Sequence, residues 1–587
     1  CKQNGDVSKK ELNDCKEKYA KVRKLLDEDA KNDPSSEPYF SKYKAKIILE
    51  DIRQILETKA NKDVIIKAML GNVLLQIGII DMDTEELANC EKVLTEAEIV
   101  LVPNYLHQNV IITLLHVYNH LGLLWSNREV PEKAKLYLNK AKELYEDFKC
   151  TLEMPIPVEQ LFGITEENDL DFMSLEKAYT LTLYYLAQLY GTIKLNFKSA
   201  IYFHITLKRQ LQYNDYDPID WALNAATLSQ FFAIENGFSQ SRHHLAAAST
   251  ILDSYEEKLR QSDTGDEQFQ AKLENFNHRA ADVALCWSKY CLNLMTSSKS
   301  RLMSDGDELP PPITDLSNLT IEDEENLCGE DLKKLVFDNL DVSAKENSVT
   351  DKYLLTFDDA RKVFLICQKW LNKAKEYYSL ETLASDYIKI VQDHSQLLRH
   401  LSFFEEDEER QAKMHKKRIN FLEDLLKEIN PTYYMQYCRQ LWYELGEIYT
   451  DLLNLKMDKL NKSTERPTPQ ALKKINSLCD KSVKNYEEFL KSLKDPKTGK
   501  LPAKLDEDVI RPVVNAYVII GRNSMKKIVL DKSLQLNNVM KSYEAYKAAV
   551  DYCDGDPNAL EMMSEEISLC KEMLSILPIK MKTLSAP

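Results

Sequence analysis

The stretch that decides the fold of this chain is residues 181–232, LTLYYLAQLYGTIKLNFKSAIYFHITLKRQLQYNDYDPIDWALNAATLSQFF. Its first part places apolar residues at i, i+3, i+4 and i+7, a spacing that predicts one amphipathic helix. These residues are Leu183, Leu186, Ala187 and Tyr190. A tight connection begins at Gly191, and a return helix continues the apolar stripe with Ser199, Phe203 and Thr206.

The third helix of the stretch begins at Asp217-Pro218, because the carboxylate can cap the helix and proline has a preset φ. Away from the apolar stripe, the first and third helices carry the uncharged residues Tyr185, Gln188 and Thr227. On a chain with a formal net charge of −16, a solvated face would more often carry Glu or Lys. We therefore interpret these three residues as partner contacts, the alternative being tolerated surface residues.

The same pattern recurs along the chain and matches the tetratricopeptide repeat, W-x2-L-G-x2-Y…A-x3-F. The clearest copy contains Tyr118, Leu121, Gly122, Trp125, Ala134, Leu138 and Ala141, and further copies begin near Leu74, Leu183, Leu228, Trp442 and Tyr517. Small residues allow two helices to approach closely, and large ones fill the space between hairpins. Because 44 residues separate Gly78 from Gly122, we expect helices longer than those of the standard unit.

These patterns predict an all-α fold, a tetratricopeptide-like right-handed α-solenoid in two lobes joined by a linker helix. The N-terminal lobe is expected over residues 1–270 and the C-terminal lobe over 351–587. A helix that is apolar nearly all round predicts a buried linker over 271–299. The acidic, proline-containing residues 300–350 predict a flexible insertion.

Composition restricts the class of function. Glycine is scarce, at 14 residues, which favours helices. We expect no apolar run of the roughly 18 residues that cross a bilayer, and the first residues lack the hydrophobic core of a signal peptide. Because the chain begins at Cys1, we expect the natural N-terminus to precede it. The net charge of −16 argues against nucleic acid and an anionic membrane as partners and favours a basic protein surface. We expect no membrane insertion.

No motif for catalysis or cofactor binding is found: GxGxxG, GxxxxGK[ST] and GxSxG are absent from the sequence. The twelve cysteines form no CxxC pair and indicate reduced thiols in a cytosolic protein. His116 and His120 stand at i, i+4 but have no third ligand, so we interpret them as histidines bordering a helical core. The sequence thus predicts a non-enzymatic binding protein with no cofactor, no metal and no small-molecule substrate. An enzyme with an unrecognised site is the alternative.

Several long segments resemble the kinesin-binding protein (KIF-binding protein) family and cover most of the chain in the family's order. They are LYYLAQLY, TLKRQL, PIDWALNAATLSQF, HLGLLWSNRE, IDMDTEEL, YLNKAKELY, IVQDHSQLL, FFEEDEERQAKMHKKRI and DEDVIRP. The resemblance implies a cytoplasmic, cytoskeleton-associated monomer that binds the motor domains of a subset of kinesins. It would block their binding to microtubules and so regulate microtubule-based transport. Roles in neurogenesis and differentiation are likewise implied by the resemblance.

The resemblance also implies which residues bind the motor. The family's motor-contacting positions are matched by Tyr185, Gln188, Gln210 and Thr227. A second-lobe loop that faces the motor in the family is matched, less closely, by Glu428, Ile429, Asn430 and Pro431. The groove would hold the motor's microtubule-facing helix. The alternative is a general tetratricopeptide scaffold or co-chaperone adaptor that binds cargo or clamps peptide C-termini, a use that needs Lys, Arg and Asn on the inner face.

Overall fold

The structure, a computed structural model, consists of α-helices joined by short connections. It describes residues 2–59, 63–151, 153–164, 173–261, 265–304, 335–463, 466–502 and 504–585. Within those ranges no residue lies in a β-strand, and the predicted all-α class is confirmed.

The helices as far as residue 303 are α1 (Lys2–Asp27), α2 (Phe40–Glu57), α3 (Val64–Asp83), α4 (Leu87–Leu101), α5 (Ile111–Asn127), α6 (Pro131–Cys150), α7 (Val158–Leu161), α8 (Ser174–Thr192), α9 (Asn196–Gln212), α10 (Pro218–Ile234), α11 (Phe238–Gln261) and α12 (Glu267–Met303). The later helices are α13 (Ser343–Glu346), α14 (Phe357–Tyr377), α15 (Ala384–Phe404), α16 (Glu408–Glu428), α17 (Pro431–Lys462), α18 (Pro469–Leu493), α19 (Glu507–Met525), α20 (Lys532–Gly555), α21 (Pro557–Met562) and α22 (Ser564–Ser585).

The described residues divide into two compact units. The first contains those of 1–231, 243–258 and 313–342, and the second those of 232–242, 259–312 and 343–587. This division differs from the expected boundary at residue 270. Phe238 belongs to the second unit because its ring packs edge-on against Tyr290 at 5.9 Å and Tyr353 at 5.8 Å.

Paired helices approach most closely where a glycine of one helix faces a large side chain of the next. A Cβ atom on Gly122 would lie 2.6 Å from Leu138 Cγ, and Gly78 is equally close to Leu94. The contact recurs in the second unit between Gly446 and Tyr486 and between Gly521 and Tyr546. The small and large residues of the predicted repeat therefore meet as expected, since only a residue without Cβ allows this separation.

Helix α3 corrects the expectation that no segment is long and apolar enough to cross a membrane. An 18-residue window of this helix has a mean hydropathy of 1.7, and 67% of the window is buried inside the fold. Helices α2, α4 and α5 pack against it, as they would against a core helix. Polar residues such as Lys67 and Gln76 interrupt the apolar run in the sequence. They do not lower the mean hydropathy of the window below that of a membrane-spanning helix.

Helix α12 contains the whole predicted linker, residues 271–299, and extends beyond both ends of it. Its buried side chains lie on several faces, as the sequence indicated, and include Phe276, Trp287, Cys291 and Leu294. The Trp287 ring stacks on Trp370 of α14 at 5.6 Å. The structure therefore makes α12 a core helix of the second unit, where the sequence predicted a linker between lobes.

The predicted flexible insertion, residues 300–350, is described in part. Residues 305–334 lie outside the described residues. Residues 335–350 are packed, which differs from the expected flexibility, and Leu335, Phe337, Val342 and Val349 are buried. The apolar residues of this short segment are too few to form a period that sequence patterns detect.

Phe337 packs within the first unit. Its side chain is 1% exposed and lies 5.1 Å from the Trp221 ring and 4.7 Å from the His204 ring. Its backbone N–H donates to His243 Nε2 at 2.9 Å. Burial, together with His244, lowers the pKa of His204 well below its ordinary value, so a neutral imidazole faces the phenyl ring.

Gly122→Ala is expected to destabilise the first unit by about 1–3 kcal/mol, because the added methyl overlaps Leu138. Urea denaturation followed by circular dichroism measures this loss. Gly555→Ala is the matched control, since a Cβ atom there meets nothing within 4 Å. Equal destabilisation by both variants would show that helix spacing does not depend on the glycine contact.

Phe337→Ala is expected to cost roughly 3–5 kcal/mol in unfolding free energy, as for other buried phenylalanines. Phe40→Ala provides the comparison in the same unit, because that ring is 45% exposed. Similar unfolding midpoints for the two variants would mean that Phe337 contributes no more than a surface ring.

Candidate functional site

Helices α8 and α9 form the hairpin that positions the first predicted site residues. Leu183, Leu186, Ala187 and Tyr190 are buried, as the periodicity predicted. Ser199 Oγ donates to Ala187 O at 2.7 Å, which holds the two helices together. Because the apolar stripe faces inward, Gln188 is exposed and Tyr185 lies at the edge of the core.

Tyr185 and Gln188 are linked through Tyr184, which the sequence analysis did not select. Gln188 Nε2 donates to Tyr184 Oη at 2.8 Å, and the Tyr184 and Tyr185 rings are 5.9 Å apart. The Tyr184 ring then meets Phe203 of α9 edge-on at 6.0 Å. Burial, and secondarily Tyr184, raises the pKa of Tyr185, so its hydroxyl stays neutral.

Helix α10 presents Thr227 in a fixed orientation. Asp217 Oδ1 accepts from the backbone N–H groups of Ile219 and Asp220, which confirms the predicted cap. Trp221 is buried and donates to Leu207 O at 3.0 Å, fixing the rotation of the helix. Thr227 is thereby exposed, and its hydroxyl donates to Leu223 O at 2.8 Å. A partner would meet its methyl group and its acceptor lone pairs.

A cavity of about 240 Å³, which we call the neutral cavity, lies between α9 and α10. It is lined by Asn196, Ser199, Ala200, Phe203, Leu207, Asn224, Thr227, Leu228 and Phe231. All nine lining residues are uncharged. The volume is below the roughly 300–1,000 Å³ of small-molecule sites and suits a single inserted side chain.

Phe203 lines this cavity and also packs against the core, as its place in the apolar stripe predicted. Its side chain is half-buried, whereas Ser199 and Thr206 on the same helix are buried. Periodicity cannot separate a phenylalanine that fills the core from one that lines a cavity, because both lie on the same helix face. Phe231 is a second lining residue that the sequence analysis missed, and its ring meets Phe197 edge-on at 5.2 Å.

Gln210 lies apart from the neutral cavity, in the last turn of α9. It is half-buried, and its neighbour Arg209 is fixed by an ion pair with Glu176 at 2.7 Å. The structure thus connects Gln188 through Tyr184 to Phe203, which lines the cavity together with Thr227, although Gln188 is not among the described lining residues. It does not bring Gln210 to that cavity.

The other four predicted residues form the connection between α16 and α17 in the second unit. Glu428, Asn430 and Pro431 are exposed, whereas Ile429 is buried at 5% exposure and contributes to the core. Asn430 caps α17, its Oδ1 accepting from the Thr432 N–H at 2.9 Å.

The same connection presents an aromatic side chain that the sequence analysis missed. Tyr433 is 80% exposed in the first turn of α17. The backbone of Tyr434 departs from helical geometry, with φ −116° and ψ 31°. An Asn-Pro cap followed by two tyrosines was the available sign of an exposed ring.

His116 and His120 lie within the first unit, with His120 Nδ1 2.8 Å from the His116 carbonyl oxygen. Burial, and then His120, lowers the pKa of His116 to about 4. Within the described ranges no three His, Cys, Asp or Glu side chains are arranged to hold a metal ion.

Comparisons with known proteins agree over nearly the whole chain. A family profile described as "KIF-1 binding protein C terminal" matches residues 219–584. The KIF-binding protein of Gallus gallus is 38% identical over 581 residues, which cover 97% of each chain. That of Drosophila melanogaster is 36% identical and covers 99% of this chain and 98% of the relative. A solved structure described as "Cryo-EM map of KIFBP" superposes with a TM-score of 0.60 at 28% identity, covering 97% of this chain and 100% of that one.

Asn430→Ala is expected to lower the stability of α17 by about 1 kcal/mol, because the Thr432 amide loses its cap. Hydrogen exchange at Thr432 measures this directly, and exchange should accelerate in the variant. Asn430→Ser keeps a capping oxygen and should keep the amide protected. Fast exchange in the Ser variant would show that the cap depends on more than a side-chain oxygen.

Proposed function

Because this chain belongs to the KIF-binding protein family, we propose that it binds kinesin motor domains and prevents them from binding microtubules. Family membership rests on the near full-length identity to KIF-binding proteins and on the family profile. The proposed mechanism is competitive. The chain holds the motor's microtubule-facing helix, and the motor cannot engage the microtubule while that helix is held.

The neutral cavity is the observation that supports this mechanism best. Its described lining combines apolar side chains, such as Phe203 and Leu207, with the amide and hydroxyl groups of Asn196, Asn224 and Thr227. A partner helix can dock at such a cavity by inserting one side chain into it. The neighbouring polar side chains of that helix then form hydrogen bonds with the polar lining residues. Gln188 and the Tyr184 ring extend this neutral surface along α8. We therefore assign the first motor contact to this surface.

Charge supports the same partner. The chain carries a formal net charge of −16, and a motor surface that binds acidic tubulin is basic. Long-range attraction of this kind accelerates association, while the neutral contact surface decides the fit. Since motors and microtubules meet in the cytoplasm, we propose that this protein acts there.

The connection between α16 and α17 supplies a second proposed contact. Glu428, Asn430 and Pro431 are exposed there, and Tyr433 adds a large ring. A carboxylate beside an exposed aromatic ring suits a basic protein surface. Ile429 acts indirectly, because its buried side chain holds the connection in place.

The alternative, an adaptor that clamps peptide C-termini, is less well supported. A terminal carboxylate is usually bound by Lys or Arg side chains. The lining of the neutral cavity contains neither residue type.

Gln188→Lys combined with Thr227→Lys is expected to weaken motor binding at least about tenfold. Two cations would face a basic motor surface, and a mispaired interfacial charge costs several kcal/mol. Both positions are exposed, so the fold should survive, whereas Tyr185 packs on the core and is left unchanged. Pull-down and titration with purified kinesin motor domains provide the measurement.

The matched control adds the same two charges elsewhere. Gln268 and Gln270 are exposed in the first turns of α12, and Gln268→Lys with Gln270→Lys should leave affinity unchanged. An equal loss in both double variants would indicate a general charge effect and remove the neutral cavity from the proposal.

Microtubule co-sedimentation tests the inhibitory step. Motor domains should pellet with microtubules alone and stay in the supernatant when this protein is present in excess. The double lysine variant should leave them in the pellet. If the wild-type protein binds motors and pellets with them, the protein binds kinesins without blocking them.

A further inference from the structure

A second cavity of about 240 Å³ lies in the second unit, where α17 ends and α18 begins. We call it the basic cavity. Its lining consists of Lys456, Lys459, Leu460, Ser463, Arg466, Pro467, Thr468, Ala471, Lys474 and Ile475. Of these ten described lining side chains, four are cationic and none is acidic. This charge is opposite in sign to that of the chain, which has 93 Asp and Glu against 77 Lys and Arg.

Among the described residues, three of these four cations have no acidic partner. Lys459 pairs with Glu409 at 2.8 Å. In the part of the chain that the structure describes, Lys456, Arg466 and Lys474 have no carboxylate within 4.0 Å. Burial, followed by the nearby Lys474 and Lys459, lowers the pKa of Lys456. The cations therefore repel one another, and an anion in the cavity would relieve that repulsion.

The cavity also has an apolar wall. Ile475 is 2% exposed, Leu460 is half-buried, and Ala471 and Pro467 complete the surface. Thr468 Oγ1 accepts from the Ala471 N–H at 3.2 Å as the cap of α18, and its hydroxyl can still donate to a ligand oxygen. A ligand that fits must therefore carry negative charge at one end and apolar surface at the other.

We propose that the basic cavity binds a phosphorylated aromatic side chain of a partner protein. A phosphate monoester carries close to two negative charges at pH 7 and offers three acceptor oxygens, which matches converging cations better than a carboxylate does. The aromatic ring would lie against Leu460, Pro467 and Ala471. An anionic membrane is disfavoured relative to a single phosphorylated side chain, because an extended surface would face many acidic residues of a chain whose net charge is −16.

Calorimetric titration with phenyl phosphate tests the proposal, because this probe has the required dianion and ring. It should bind at least about tenfold more tightly than inorganic phosphate, and its affinity should fall as salt is added. Equal affinities would mean an adventitious ion only and would overturn the proposal. Recruitment to phosphatidic acid vesicles that phenyl phosphate does not compete would also overturn it, in favour of a lipid site.

Two substitutions test the residues. Lys456→Met and Lys474→Met should each weaken phenyl phosphate binding about tenfold, while the melting temperature stays equal to or above that of the wild type. If the lysine only stabilised the fold, its replacement would lower the melting temperature together with the affinity. If Lys456→Met fails to fold, Lys474→Met alone tests the proposal. Lys474 is exposed, so its replacement should leave the fold intact.

The control is Lys462→Met, since Lys462 lies outside the cavity lining and pairs with Glu408 at 2.6 Å. It should leave affinity unchanged, and an equal loss in all three variants would overturn the assignment to this cavity. A peptide with one phosphotyrosine should bind, and its unphosphorylated form should not. All measurements are made without kinesin, so their outcome is independent of the proposed motor binding.

Discussion

The close contact between a glycine of one helix and a large side chain of the next is the constraint on which the rest of the structure depends. Leu138 occupies the space where Gly122 lacks a Cβ atom, and Tyr486 does the same opposite Gly446. Because interiors are close-packed, the contact fixes both the separation and the rotation of each helix pair. Once the rotation is fixed, so is the face that each helix turns away from the core.

The candidate binding surface follows from that rotation. With Leu186 and Ala187 held in the core, Gln188 has no position except the exposed face, and Trp221 fixes Thr227 in the same way. Neutral side chains at these positions leave the surface free of the charges that cover most of this acidic chain. The same fold places Lys456 of α17 and Lys474 of α18 at a second cavity, and among the described residues neither has a carboxylate within 4.0 Å.

Buried polar groups are the second determinant of the architecture. His204, His243 and Trp221 surround Phe337. These contacts pack part of the segment 335–350, which its composition alone predicts to be flexible. Helix α3 shows the converse case. Its hydropathy would suit a membrane, yet neighbouring helices bury 67% of the apolar window. In both cases neighbours distant in sequence decide the environment of a segment.

The sequence by itself determined the all-α class, the paired helices, the Asp217 cap and the exposure of Gln188 and Thr227, because each depends on residues within a few turns of one another. Only the tertiary structure decided that Phe203 lines a cavity, that Ile429 is buried and that Gln210 is outside the described lining of the cavity that contains Thr227. It also made α12 a core helix and packed Phe337. These outcomes depend on contacts between residues far apart in the chain, which local periodicity does not contain.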